Sequence, residues 1–140
     1  MVKSSQCTAA SILGSRFEST SNPHYYLSAG IYNGLMFHVL DPTYQASLEV
    51  LLSKSEVDFS KASQAHVWGV SCDSVDDIGL YTLPELQIGD WVLYRNVGDY
   101  HMEMCSNFNG FGEPQREFCC EARHLDICEE LYRDQFDILY

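Results

Sequence analysis

Basic residues are scarce in this sequence: 8 Lys and Arg stand against 20 Asp and Glu in 140 residues, a formal net charge of −12. With so few cations and no basic stripe, the chain is a poor partner for nucleic-acid phosphates or an anionic membrane surface, which would repel it. No run approaches the ~20 apolar residues of a membrane span. The opening Met1 to Cys7 carries one Lys and small polar residues, without the apolar core of a signal peptide. These absences predict a soluble cytoplasmic protein. CxxC and HxxxH spacings are lacking as well, and the five histidines are scattered, so no metal site is expected. Length sets a further limit, because a complete (β/α)₈ barrel takes roughly 250 residues.

What is present is enough apolar material for a core, with 46% hydrophobic and 13% aromatic residues. A single domain over residues 1–140 is expected. The six cysteines, Cys7, Cys72, Cys105, Cys119, Cys120 and Cys128, read as free thiols, since the core needs no staples and adjacent cysteines suit a disulfide framework badly.

Strands are predicted over Thr8 to Phe17, Tyr25 to Ala29 and Ala65 to Val70. Asp41-Pro42-Thr43 reads as a helix start, with Tyr44, Leu48, Leu51 and Leu52 forming one helical face as far as Ser53. Residues Ser53 to Ser63 read as a loop. Trp91 to Tyr94, a turn at Asn96 to Asp99 and an alternating return strand from Tyr100 to Phe108 predict a hairpin. A strand near Phe118 to Cys120 follows, then a C-terminal helix within 121–140 bearing Leu125, Cys128, Leu131 and Tyr132 on one face. The fold expected is mainly β, an α+β domain built as a Greek-key-like barrel or sandwich with one or two short helices. By residue type alone, Cys72 reads as a buried structural thiol and Asp73, Asp76 and Asp77 as solvated acids. Tyr100, Phe108, Met102, Met104 and Cys105 read as core packing, and Gly89-Asp90 and Asn109-Gly110 as turns.

Four segments in order carry a resemblance. Tyr25-Tyr26-Leu27-Ser28-Ala29-Gly30-Ile31-Tyr32 is similar to Y-Y-V-N-D-G-V-Y, and Trp68 to Asp76 to W-G-P-x-C-D-x-x-D. Leu83 to Trp91 is similar to L-P-E-x-x-x-G-D-W. Asn96-Val97-Gly98-Asp99-Tyr100 with Phe108-Asn109-Gly110-Phe111 is similar to N-M-G-A-Y followed by F-N-G-F. Together they resemble, over about residues 8–120, the C-terminal β-domain of the ornithine decarboxylases and their relatives, the fold-type III pyridoxal-phosphate (PLP) decarboxylases. The resemblance implies a site at a dimer interface, where this domain completes the PLP-bearing barrel of another subunit. Within it, Cys72 matches the cysteine that protonates the decarboxylated carbanion, Asp73 the acid that binds the distal amine of the substrate, and Tyr100 the tyrosine that contacts the cofactor phosphate. Those residue types suit those tasks: a thiol donates a proton, a carboxylate pairs with an ammonium, and a phenol donates to phosphate.

The departures shape the expectation. Ala29 stands where the family pattern has its second substrate-binding aspartate, and the chain's lysines, Lys3, Lys54 and Lys61, all lie in polar sequence. The expectation is therefore a chain that is not an enzyme alone and takes PLP only together with a barrel partner. It would be a pseudoenzyme acting through protein association, as a homodimer or as a heteromer with a decarboxylase subunit, in the manner of the inactive paralogues that regulate polyamine synthesis. Two alternatives stand beside it: one part of a split or truncated decarboxylase, and a domain recruited to unrelated protein recognition.

Overall fold

A computed structural model describes residues 3–17, 22–41, 43–98 and 101–117. Its strands are β1 (Cys7–Arg16), β2 (His24–Leu27), β3 (Ser47–Leu52), β4 (Ser63–Trp68), β5 (Asp77–Leu83) and β6 (Trp91–Arg95), and one helical turn, α1 (Phe37–Leu40), lies between β2 and β3. Single 3₁₀ turns occur at Lys3–Ser5, Ile31–Asn33, Phe59–Lys61 and Phe108–Gly110. The six strands form one mixed sheet in the order β3-β6-β1-β2-β4-β5. Its pairs are antiparallel except β2 with β4.

The sheet curls. Tyr81 on β5 and Tyr94 on β6 stand four strand spacings apart, about 19 Å if the sheet were flat, yet their rings meet edge to face with centroids 5.8 Å apart. Gln45, just before β3, donates from Nε2 to the Leu80 carbonyl of β5 at 2.6 Å, so a side chain bridges the two outer strands. The concave face holds the core: Ile12, Tyr25, Leu27, Ala65, Val67, Ile78, Val92 and Tyr94, all buried. Period-2 burial along β1, β2 and β4 is what a half-buried strand requires. Inside this core, desolvation pushes the Tyr81 phenol up to about 12 and the Tyr94 phenol well above its ordinary value.

The strands expected at Thr8, Tyr25 and Ala65 are present, with slightly different ends. The helix expected over Asp41 to Ser53 is instead a turn followed by β3. Asp41 does accept backbone and side-chain hydrogen bonds from Thr43, at 3.1 and 2.6 Å, but these close an Asx turn, which uses the same local chemistry as a helix cap. Beyond it Leu48 and Val50 are half-buried between exposed Ser47, Glu49 and Leu51, a strand pattern. The return strand expected from Tyr100 to Phe108 is absent over the described residues 101–108, which turn back instead; Cys105 N–H donates to the Met102 carbonyl at 3.2 Å. β6 could not have paired with it, because β1 and β3 already occupy both of its edges. Strand β5 was missed by the sequence reading. The expected strand at 118–120 and helix within 121–140 lie outside the described residues.

Asp90 explains the Gly-Asp-Trp segment ahead of β6. Its carboxylate is buried and accepts from Gln87 N–H at 2.8 Å and Lys54 N–H at 2.9 Å, tying the end of β3 to the start of β6. Burial raises its pKa, but these backbone donors and nearby Lys54 outweigh that and hold it below the ordinary carboxylate value. Gly89 has φ +89°, a left-handed backbone conformation that favours glycine.

Candidate functional site

Two loops and a 3₁₀ turn meet at one end of the sheet. The first loop, between β4 and β5, carries Cys72 and Asp73. The turn Ile31–Asn33, which follows β2, brings Tyr32 to it, and its hydroxyl donates to Asp73 Oδ2 at 2.6 Å. Phe108, from the second loop, lies against Tyr32 with ring centroids 4.2 Å apart, and Ser106 N–H donates to the Tyr32 carbonyl at 2.8 Å. Asn109 Nδ2 approaches Cys72 Sγ at 3.7 Å. Asn109 adopts φ +54°, the left-handed conformation that Asn tolerates better than most side chains, which fits the turn read there.

Asp76 anchors this arrangement. Its side chain is 1% exposed; Oδ1 accepts from Ile31 N–H at 2.8 Å, and Oδ2 accepts from both Ser71 N–H and Ser71 Oγ at 2.8 and 2.7 Å. One carboxylate thus ties the turn bearing Tyr32 to the loop bearing Cys72 and Asp73. A Cβ on Gly30 or Gly69 would overlap that carboxylate, so both neighbours must be glycine for want of room. Gly30, with φ −152°, is extended backbone that any residue could adopt.

The electrostatics follow from these contacts. The Tyr32 hydroxyl, then the Val75 N–H at 3.0 Å, hold the Asp73 carboxyl below its ordinary value. The reciprocal effect raises the Tyr32 phenol.

Of the residues expected from sequence, Cys72 and Asp73 are adjacent at this loop, and Tyr100 lies outside the described residues. Cys72 is exposed, correcting its reading as a buried thiol; it, Cys7 and Cys105 are all free. Asp76 is buried, correcting its reading as a solvated acid. Phe108 and Met104 are exposed and Met102 and Cys105 half-buried, so this segment is not core. Tyr32 and Asp76 were missed as site residues, although both stand in the segments that carry the resemblance. Ala29 is 4% exposed and offers no polar group.

The chain's lysines are engaged away from this loop. Lys54 Nζ donates to the Ile88 carbonyl at 2.9 Å, Lys61 pairs with Asp58 at 3.1 Å, and Lys3 lies 3.9 Å over the Tyr44 ring. The residues here therefore do not fit PLP held as a Schiff base by this chain.

The fold is a curled, mixed β-sheet domain with a loop bearing Cys72 and Asp73 at one end. The chain belongs to the pyridoxal-dependent decarboxylase family, whose C-terminal sheet domain model matches residues 3–98. It is 35% identical over 105 residues to ornithine decarboxylase of Rattus norvegicus, covering 72% of this chain and 22% of that protein. It is 36% identical over 95 residues to antizyme inhibitor 2 of Xenopus laevis, covering 67% and 20% respectively. The lysine/ornithine decarboxylase of Vibrio vulnificus, solved with cadaverine, matches with a TM-score of 0.67 at 28% identity over 82% of this chain and 30% of that one. The arginine decarboxylase of Paramecium bursaria Chlorella virus gives 0.66 at 30% identity over 76% and 28%. The chain thus spans about a fifth of the length of the curated relatives it matches.

Proposed function

We propose that this chain acts by protein association, as a non-catalytic relative of the decarboxylase sheet domain that pairs with a decarboxylase subunit and modulates polyamine formation. The observation that carries this reading is Ala29, 4% exposed and apolar where the family pattern has its second amine-binding acid. The likeness to antizyme inhibitor 2 supports a link to polyamine metabolism. Exposed Leu13, Leu52, Ile88 and Trp91, at one end of the β1, β3 and β6 ladder, give apolar surface for association. Light scattering of the chain alone and mixed with an ornithine decarboxylase subunit tests this. A mixed assembly with altered decarboxylase activity is expected; a chain that leaves the enzyme's mass and rate unchanged sinks the reading.

One observation favours a second reading, in which the domain completes an active site on another chain. Cys72 is exposed beside Asp73, with Asn109 at its sulfur, so a proton-donating thiol faces outward. Carbon dioxide release from a mixture with a barrel-bearing partner, lost in Cys72→Ala, would support it over the first.

A further inference from the structure

The outer face of the sheet carries a cluster that takes no part in the loop site. Strands β2 and β4 form the sheet's parallel ladder, only three residue pairs long, with His24 opposite His66 and Tyr26 opposite Trp68. The His24 ring stacks on His66 with centroids 5.5 Å apart, and His66 stacks on Trp68 at 4.4 Å. Trp68 Nε1–H donates to His24 Nδ1 at 3.0 Å, and His66 Nε2 meets Asp77 Oδ1 at 2.7 Å.

An indole N–H can donate but never accept. His24 Nδ1 therefore carries no proton in this arrangement, and the ring is the neutral tautomer with its proton on Nε2. A protonated His24 has a donor at each nitrogen, so two N–H groups would face each other across the Trp68 contact. The charged and titratable groups facing His24 among the described residues are Arg16, its ladder partner on β1, and His66 on β4, with Asp77 on β5 beyond His66. Arg16 and His66 both disfavour a second positive charge. The Asp77 oxygen nearest them is shared between His66 and the Gly79 N–H at 2.9 Å.

We propose that the His24–Trp68 contact is a proton-operated clasp: with His24 neutral it ties the parallel seam of the sheet and the start of the Cys72–Asp73 loop, and protonation of His24 releases it. The coupling to the loop is direct along the chain, because the next residue, Gly69, donates its N–H to the Asp76 carbonyl at 2.8 Å. Burial, then His66 and Arg16, hold the His24 imidazole below its ordinary value of 6.5. Stability contributed by the neutral ring is accordingly present above 6.5 and declines as pH falls towards the folded-state value.

The test is nitrogen-15 NMR of the full chain from about pH 8 to about pH 5. At the upper end His24 Nδ1 should give the signal of an unprotonated imidazole nitrogen. On acidification the Trp68 indole N–H and the Gly69 to Asp73 amides should shift together, with a midpoint below 6.5. A protonated Nδ1 at the upper pH, or an indole signal that ignores the His24 titration, overturns the proposal. Loop amides that stay still while His24 titrates overturn it too. In His24→Gln the indole shift should vanish; its persistence assigns the transition to His66 and also overturns the clasp. The native-chain measurement decides the matter should the variant fail to fold.

Discussion

Tyr32 and Asp73 lie 41 residues apart in sequence and share one hydrogen bond of 2.6 Å. That bond lowers the acid's pKa and raises the phenol's. Tyr32→Phe should return the Asp73 carboxyl towards its ordinary value of 3.8, measured by NMR titration of the side-chain carboxyl. Because the folded pKa is depressed, whatever stability this bond contributes is present above the ordinary value and lost as pH falls through the folded one. An unchanged Asp73 titration in the variant would show that Val75 N–H, not Tyr32, sets the shift.

Asp76 should be the most damaging single substitution at the site. Asp76→Ala takes the acceptor from the buried Ile31 N–H and from the two partly buried Ser71 donors, a loss of about 3 kcal/mol. Asp76→Asn keeps the volume and one acceptor oxygen, and should cost less. Gly69→Ala forces its new methyl against the same carboxylate and should cost about 1–3 kcal/mol. Urea unfolding of the three variants checks both the order and the sizes; an Asp76→Ala chain as stable as the parent would remove the anchor from the account of the loop.

Much of the sheet was legible because β1, β2 and β4 combine alternation with turn residues at their ends. β3 was not, since Leu48, Leu51 and Leu52 satisfy a helical spacing as well as an extended one, and the Asp41 signal serves a turn or a cap equally. β5 was hidden by the acids that precede it and by Gly79, which sits within the strand at φ +116°. Residues 101–108 alternate like a strand, but strand formation needs a free edge, and which edges are free is a property of the whole sheet. At the site, Cys72 and Asp73 came from segment resemblance. The bonds Tyr32 to Asp73 and Ile31 to Asp76 span 41 and 45 residues and leave no local trace.

Tyr25 separates packing from hydrogen bonding inside the core. Its ring is 1% exposed and its hydroxyl accepts from Leu86 N–H at 3.0 Å. Tyr25→Phe retains the ring and orphans that buried N–H, so a loss of about 1–2 kcal/mol is expected. Tyr26→Phe, next along β2 on the exposed outer face, should be within about 0.5 kcal/mol of the parent. Equal effects at the two positions would contradict the assignment of inner and outer faces.

Ala29→Asp restores the acid of the family pattern and tests whether the rest of the domain still accommodates it. Position 29 is 4% exposed, so a new carboxylate there is desolvated and its ionisation disfavoured, which raises its folded pKa. Burying an incompletely bonded polar group costs about 1–3 kcal/mol, and more when it is charged. The substitution should therefore lower stability at neutral pH. With the folded pKa above the unfolded one, the deficit should shrink as pH falls through the folded value, because the neutral acid is the form the fold tolerates. Chemical denaturation at several pH values reads this directly. A variant as stable as the parent at neutral pH would mean that a partner for the carboxylate survives beside position 29, and the loss of the second acid could no longer be used to argue against amine binding.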